Sequence, residues 1–213
     1  MDLLHPDIDR YLGNLAATDD PLLREMESLA AERDFPIVGP QVGGLLHVLA
    51  VASGARRVLE LGSGFGYSAY WFARAVGPQG VVVLTEGSAD RAEEARRFLE
   101  RGGMADRVRI EVGNGLEIAR AIGGEFDIVF NDVDKRDYGG VAELAVGLLR
   151  PGGLLISDNM LWFGKVLDTE SPDDATRGVQ SLTRMLYGSR GFSTTLVPLR
   201  DGVTVSVKLE VRA

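Results

Sequence analysis

From residue 57 onward the chain alternates short apolar runs with longer amphipathic segments, and this alternation constrains the fold more than any other feature. Residues 57–61, 81–85, 108–112, 126–130 and 154–157 read as buried strands, rich in Val, Ile, Leu and Phe. Residues 67–76, a segment capped by Ser88 and running to Arg101, residues 116–122, a segment near 138–149, and residues 175–187 read as helices between or after them. A strand followed by a helix and another strand pairs in parallel, because the chain needs a crossover to return to the same edge. The end of the chain differs. Residues 192–199 and 203–211 read as two strands joined through Arg200-Asp201-Gly202, an Asp-Gly turn. The expected fold is therefore α/β: a Rossmann-like, doubly wound, mostly parallel seven-stranded sheet with one antiparallel strand near the C-terminal hairpin. Everything before Arg56 reads as helical, with helices over 21–33 and 41–52. It is expected to cap the ligand edge of the sheet or to form a dimer contact. The chain is expected to be one domain, residues 1–55 forming the cap and 56–213 the α/β core.

Composition narrows the chemistry. The 23 Lys and Arg against 31 Asp and Glu leave a net charge of −8, which repels a phosphate backbone or an anionic membrane. No nucleic acid or membrane partner is expected. No apolar run approaches the roughly 18 residues of a membrane span, and the first residues lack a basic stretch followed by an apolar one. The absence of cysteine removes disulfides, thiolate zinc sites and cysteine nucleophiles, and fits a cytoplasmic protein. With only His5 and His47, histidine metal sites and Ser-His-Asp chemistry are nearly excluded. Any metal is expected to be a hard cation on oxygen ligands, with Mg²⁺ first and Mn²⁺ or Ca²⁺ as alternatives.

In an open α/β sheet ligands bind beyond the carboxyl ends of the strands. The first strand runs into Glu60-Leu61-Gly62-Ser63-Gly64-Phe65-Gly66, whose glycines allow a tight turn and a close backbone approach before a helix N-terminus. The spacing is G-x-G-x-G rather than the G-x-G-x-x-G of dinucleotide enzymes. Glu60 would repel a pyrophosphate and suits an ammonium or sulfonium. The second strand ends at Glu86, a carboxylate able to accept from two ribose hydroxyls or simply to favour a helix N-terminus. Gly113-Asn114-Gly115 is placed to meet an adenine edge, or is a plain turn. The fourth and fifth strands end in Asp132 and in Asp158-Asn159, and as neighbours they bring three oxygen ligands together with room for water or substrate.

These stretches, together with Val38–Gly43, Asp132-Val133-Asp134-Lys135, Leu149–Gly153, Asp158–Val166 and Pro198–Gly202, resemble the cation-dependent class I O-methyltransferases. That family contains the caffeoyl-CoA and catechol O-methyltransferases and their bacterial relatives. The resemblance implies S-adenosylmethionine as methyl donor. It implies that Val38, Glu60, Gly62, Gly64 and Ser68 line the methionine end, Glu86 the ribose, and Asn114 and Gly115 the adenine. It further implies that Asp132, Asp158 and Asn159 hold the cation, that Asp134 lies beside cofactor and metal, that Lys135 is the general base, and that the protein is a homodimer. The apolar face Leu22, Met26 and Leu29 is expected to supply the dimer contact. The chain departs from the pattern at Asn114, where Asp is frequent, at Asn131 and Val133, where Ile and Ala are usual, and at Phe163, where plant-type members carry Arg. The last change favours a small aromatic acceptor over a CoA ester.

The implied reaction is methyl transfer to a phenolic oxygen. Two neighbouring oxygens on a divalent cation would be acidified and held in line with the methyl group. Lys135, three residues after Asp132, reaches the reacting oxygen, and the positive charge beside it makes the neutral amine accessible. Two other readings remain open: an NAD-dependent Rossmann oxidoreductase, and a non-catalytic module that binds S-adenosylmethionine. His47 reads as a core or interface residue, His5 as a surface one, and Trp162 and Phe163 as either pocket wall or packing.

Overall fold

The computed structural model describes residues 5–210. Its centre is a seven-stranded sheet: β1 (Arg57–Leu61), β2 (Val81–Glu86), β3 (Val108–Val112), β4 (Phe126–Asn131), β5 (Leu149–Ser157), β6 (Phe192–Val197) and β7 (Val203–Lys208). The strand order is β3-β2-β1-β4-β5-β7-β6. The first five strands pair in parallel, and β7 runs antiparallel to both β5 and β6. One strand is therefore reversed, as expected from the hairpin. The chain winds outward from β1 to β3 and then returns to β4 on the other side of β1. The order reverses between β1 and β4, which places the ligand crevice beyond the ends of those two strands.

The helices follow from local sequence. α2 (Pro21–Glu32) starts at Asp20, whose carboxylate accepts from Leu22 N, and buries Leu22, Leu23, Met26 and Ala30. α3 (Gly39–Ala52) is apolar on most of its circumference and packs on α4 (Tyr67–Val76), eight of whose ten residues are buried. α5 (Ala89–Arg101) starts at Ser88 and buries only Ala92, Ala95, Phe98 and Leu99, so its charged face is solvated. α6 (Gly115–Ile122), α7 (Val141–Leu148) and α8 (Asp174–Gly188) cover the opposite face. α1 (Pro6–Ala16) lies against α3.

Strand alternation sorts two cores. Val58, Ile128, Phe130 and Ile156 join the cluster under α2 to α5, while Leu59, Leu61, Val129 and Leu155 join that under α6 to α8. Several boundaries differ from the sequence reading. The helix expected near 138–149 begins as a 3₁₀ segment, Lys135–Gly140, and becomes α7 only after Gly139-Gly140. β5 starts earlier than residue 154 because Leu149 already pairs with Phe126 before the Pro151-Gly152 irregularity. β6 stops at Val197 and β7 at Lys208; Val211, expected as strand, lies outside the described residues. The apolar face of α2 does not form an outer contact: Leu22 and Met26 are buried in the chain's own core, with Leu29 packed against it.

Candidate active site

The crevice is built from the strand ends. Asp132 N donates to Leu61 O at 2.9 Å, so the loops after β1 and β4 touch. A side chain at Gly62 would meet the Asp132 carbonyl at 2.6 Å, and Gly62 has a φ of +79°. Gly64 has a φ of +58° and faces the Phe35 ring. Only glycine satisfies both the conformation and the close approach at these two positions.

Glu60 is fully buried at the end of β1. Ser63 Oγ donates to its Oε2 at 2.8 Å, and the Ser68 hydroxyl, from the first turn of α4, donates to its Oε1. Burial pushes the Glu60 carboxyl up to about 8 despite these bonds, and the nearby charges of Asp132 and Glu86 act in the same direction. Glu86 is also buried. Its Oε2 accepts from Gly64 N at 2.9 Å, and its Oε1 from Ser88 N and Arg91 Nε, both at 2.8 Å. It thus holds the glycine turn and the start of α5 together. Asn114 is the N-cap of α6, its Oδ1 accepting from Leu116 N and Glu117 N at 3.0 and 3.1 Å. Its acceptor atom serves the helix, which leaves the NH₂ group for a ligand. Gly115 opens α6 beside the Thr85 hydroxyl, and buried Val38 precedes α3.

Lys135 and Asp132 form an ion pair, Nζ to Oδ1 at 2.7 Å, with the lysine side chain only 11% exposed. The ammonium also lies over the rings of Tyr138 and Trp162. Asp158 is buried, and its carboxyl is raised well above the usual carboxylate range by burial and by the charge of Asp132. Removal from water likewise raises Asp132, against the pull of Lys135. Asn159 follows with a left-handed backbone, φ 54°. Asp134, expected to lie beside cofactor and metal, is half-exposed and bonded within its own loop. It caps the 3₁₀ segment through Arg136 N, pairs with the Arg136 guanidinium at 2.7 Å, and is thereby held down at about 2. Among the described residues no three His, Cys, Asp or Glu side chains form a metal cluster. The expected set is of another kind, with two carboxylates and one amide.

Asp158 and Asn159 open into a cavity of about 920 Å³, whose apolar walls include Phe35, Ile37, Leu161, Phe163 and Leu167. That volume suits a small organic ligand. Its near wall is the α2–α3 connection, so the N-terminal helical region borders the cavity. Arg200, in the β6–β7 turn, ties the two walls by donating from Nη1 to Ile37 O at 2.9 Å. The Trp162 ring lies near the ammonium groups of both Lys135 and Lys165, whereas Phe163 is 68% exposed on the rim. His47 packs half-buried against Trp71, and His5 caps α1 at the surface.

Sequence reasoning missed three contributors. Tyr138 is fully buried, and its hydroxyl donates to Asp158 O at 2.8 Å. Phe35 and Arg200 line the cavity from segments far apart in sequence; the Pro198–Gly202 match was the only available signal for the second. The structure also aligns Asn131, Ser157 and Thr204 across three adjacent strands. Asn131 Oδ1 and Nδ2, Ser157 Oγ and Thr204 Oγ1 are buried without a hydrogen-bond partner in the protein.

Comparison with known proteins places this geometry. The pattern of the family described as O-methyltransferase matches residues 14–209. The chain is 38% identical over 183 residues to a catechol O-methyltransferase of Mycobacterium tuberculosis, covering 84% of this chain and 83% of the relative. It is 32% identical over 211 residues to a catechol O-methyltransferase of Niastella koreensis, covering 94% and 96%. Among solved structures, an O-methyltransferase of Bacillus cereus in complex with SAH superposes with a TM-score of 0.87 at 31% identity, covering 95% of this chain and 97% of that one. TomG of Streptomyces achromogenes, an O-methyltransferase involved in tomaymycin synthesis and solved with SAM, gives 0.88 at 33% identity, covering 96% of each.

Proposed function

The chain belongs to the O-methyltransferase family and is an S-adenosylmethionine-dependent enzyme, and from that premise we propose that it methylates one hydroxyl of a small aromatic acceptor with vicinal hydroxyls, assisted by a divalent cation. The observation that carries this reading is the placement of Asp158 and Asn159 at the edge of an apolar cavity, beside the Asp132–Lys135 pair. The catechol O-methyltransferase names of the two relatives support the acceptor class.

The donor set fits a cation. Asp158 is buried and Asp132 half-buried; the charge of Asp132 raises Asp158, and one lysine is paired to Asp132. All the available donors are oxygen, which suits Mg²⁺, Mn²⁺ or Ca²⁺. Asp132, Asp158 and Asn159 would hold it, and when bound it supplies the charge that acidifies an acceptor hydroxyl. On the donor side, Glu60 would bind the ammonium of the methionine moiety, Ser68, Gly62, Gly64 and Val38 its surroundings, and Glu86 the ribose. Asn114 and Gly115 would border the adenine. Phe35, Ile37 and Leu161 exclude water and orient the ring. Lys135 is paired to Asp132 in the absence of a cation; with that carboxylate turned to a cation, the neutral amine at Nζ would take the proton of the reacting oxygen, and S-adenosylmethionine, when bound, would supply the methyl group from its sulfonium. Asp134, two residues from Asp132 and paired with Arg136 at the surface, would border the cofactor and the cation.

We place the protein in a reducing compartment, the cytoplasm, on its lack of cysteine; among the described residues no helix is long and apolar enough to cross a membrane. A homodimer remains our reading, now supported by exposed Ile8, Tyr11 and Leu15 on α1 and Val48 and Val51 on α3; sedimentation as a monomer at micromolar concentration would remove it. The central test is methyl transfer to a catechol before and after chelation. Activity lost on chelation and restored by Mg²⁺ is expected, and full activity after chelation would overturn the cation reading.

A further inference from the structure

The segment Pro198–Gly202 matches the family pattern, yet the reading above gives it no chemistry. It forms the turn between β6 and β7 and packs on the loop that leaves β5. That loop is unusual. Asn159, Trp162 and Phe163 all lie in the left-handed region, with φ of 54°, 47° and 54°. Residues with a β-carbon stay there only where their surroundings over-determine them. The surroundings are the turn: Met160 N donates to Gly202 O at 2.9 Å, and Leu161 N to Asp201 O at 2.8 Å. Phe163 N donates to Asp201 Oδ1 at 2.6 Å.

The second oxygen of the same carboxylate faces the site. Asn159 Nδ2 lies 3.4 Å from Asp201 Oδ2. An ionised carboxylate only accepts, so it selects the NH₂ side of the amide and leaves Oδ1 as the atom available to a cation. We infer that Asp201 is a positioning residue: anchored on Phe163 N, it fixes the orientation of the Asn159 amide so that Oδ1 completes the oxygen set with Asp132 and Asp158. This rests on the cation reading of the site. Partners that orient a metal ligand typically influence affinity by about 10–100-fold.

Asp201→Asn separates orientation from support. The new amide oxygen can still accept from Phe163 N, but the new NH₂ group then faces Asn159 Nδ2, donor against donor. Asn159 relieves this by turning its own oxygen toward the introduced amide and away from the cation. Asp201→Ala removes the partner and the loop support without imposing a flip. The experiment is Mn²⁺ titration of the full-length wild type and both variants, followed by the paramagnetic resonance of free Mn²⁺. Unfolding midpoint and S-adenosylmethionine affinity are measured alongside. The expected result is Mn²⁺ affinity about 10–100-fold weaker in Asp201→Asn, at least as weak as in Asp201→Ala, with cofactor affinity within about twofold of wild type. A role in loop support alone gives the reverse order, a mild Asp201→Asn and a severe Asp201→Ala, and would overturn the inference. So would wild-type Mn²⁺ affinity in Asp201→Asn. A wild type that binds no Mn²⁺ would overturn this inference and the cation reading together, which distinguishes the two failures.

Discussion

Glu60 offers a quantitative test of how the cofactor is held. Its carboxyl is fully buried and pushed up to about 8 by that burial, with Asp132 and Glu86 adding to the effect and the Ser63 and Ser68 hydroxyls opposing it. In the unliganded protein at pH 7, about nine-tenths of the molecules therefore carry a proton on Glu60. An ammonium binds the carboxylate, not the acid, so cofactor binding at pH 7 should release about 0.9 proton. Affinity should rise about 30-fold between pH 5.5 and pH 7, or about 2 kcal/mol, because the ionised fraction rises by that factor while the ligand ammonium stays charged. Above pH 8 the ammonium itself titrates, and the gain stops. Calorimetry in two buffers of different ionisation enthalpy measures both quantities. Glu60→Gln should bind more weakly at pH 7 and lose the proton release. The same group acts on the unliganded fold. The folded chain holds this proton up to about 8, whereas the unfolded chain releases it near 4.5. Folded protein then binds more protons across that window, so the contribution of Glu60 to stability falls as pH rises through it. Cofactor affinity that is flat from pH 5.5 to 7, with no proton released, would refute the placement of Glu60 against the ammonium.

Other perturbations have definite expected outcomes. Lys135→Met keeps the stem and removes the amine; initial rates on a catechol should fall ~10²–10⁴-fold while calorimetric cofactor affinity is unchanged, and an undiminished rate would make Lys135 a bystander. Gly64→Val places a branched side chain at a φ of +58° against Phe35, so cofactor binding should be lost in calorimetry; wild-type affinity would move the cofactor elsewhere. Asn131→Leu replaces a buried amide that has no partner in the protein by an apolar group of similar shape, and should raise stability by about 1–3 kcal/mol in denaturant unfolding. A drop in stability would mean that internal water pairs the amide.

The sequence alone determined the winding of this protein, because parallel pairing, crossover helices and a reversed final hairpin all follow from the spacing of apolar runs and turn residues. That Gly62, Glu86, Asp132 and Asp158 stand at the strand ends was legible for a related reason: the ends of these strands must face the crevice, whatever the packing elsewhere. Side-chain allegiance was not legible. Asp134 sits two residues from Asp132, yet Arg136 draws it to the surface, and Asn114 spends its oxygen on the helix it begins. The α2 face that looked free is core, because the chain folds α2 back onto its own sheet. The cavity joins Phe35, Leu161 and Arg200, more than a hundred and sixty positions apart at the extremes, and the Asp201 contact with Asn159 spans 42 positions. Periodicity and spacing record what each segment does to its near neighbours. Which distant loop meets which, and which of two competing partners a carboxylate takes, is decided only when the packed sheet brings those loops to one edge.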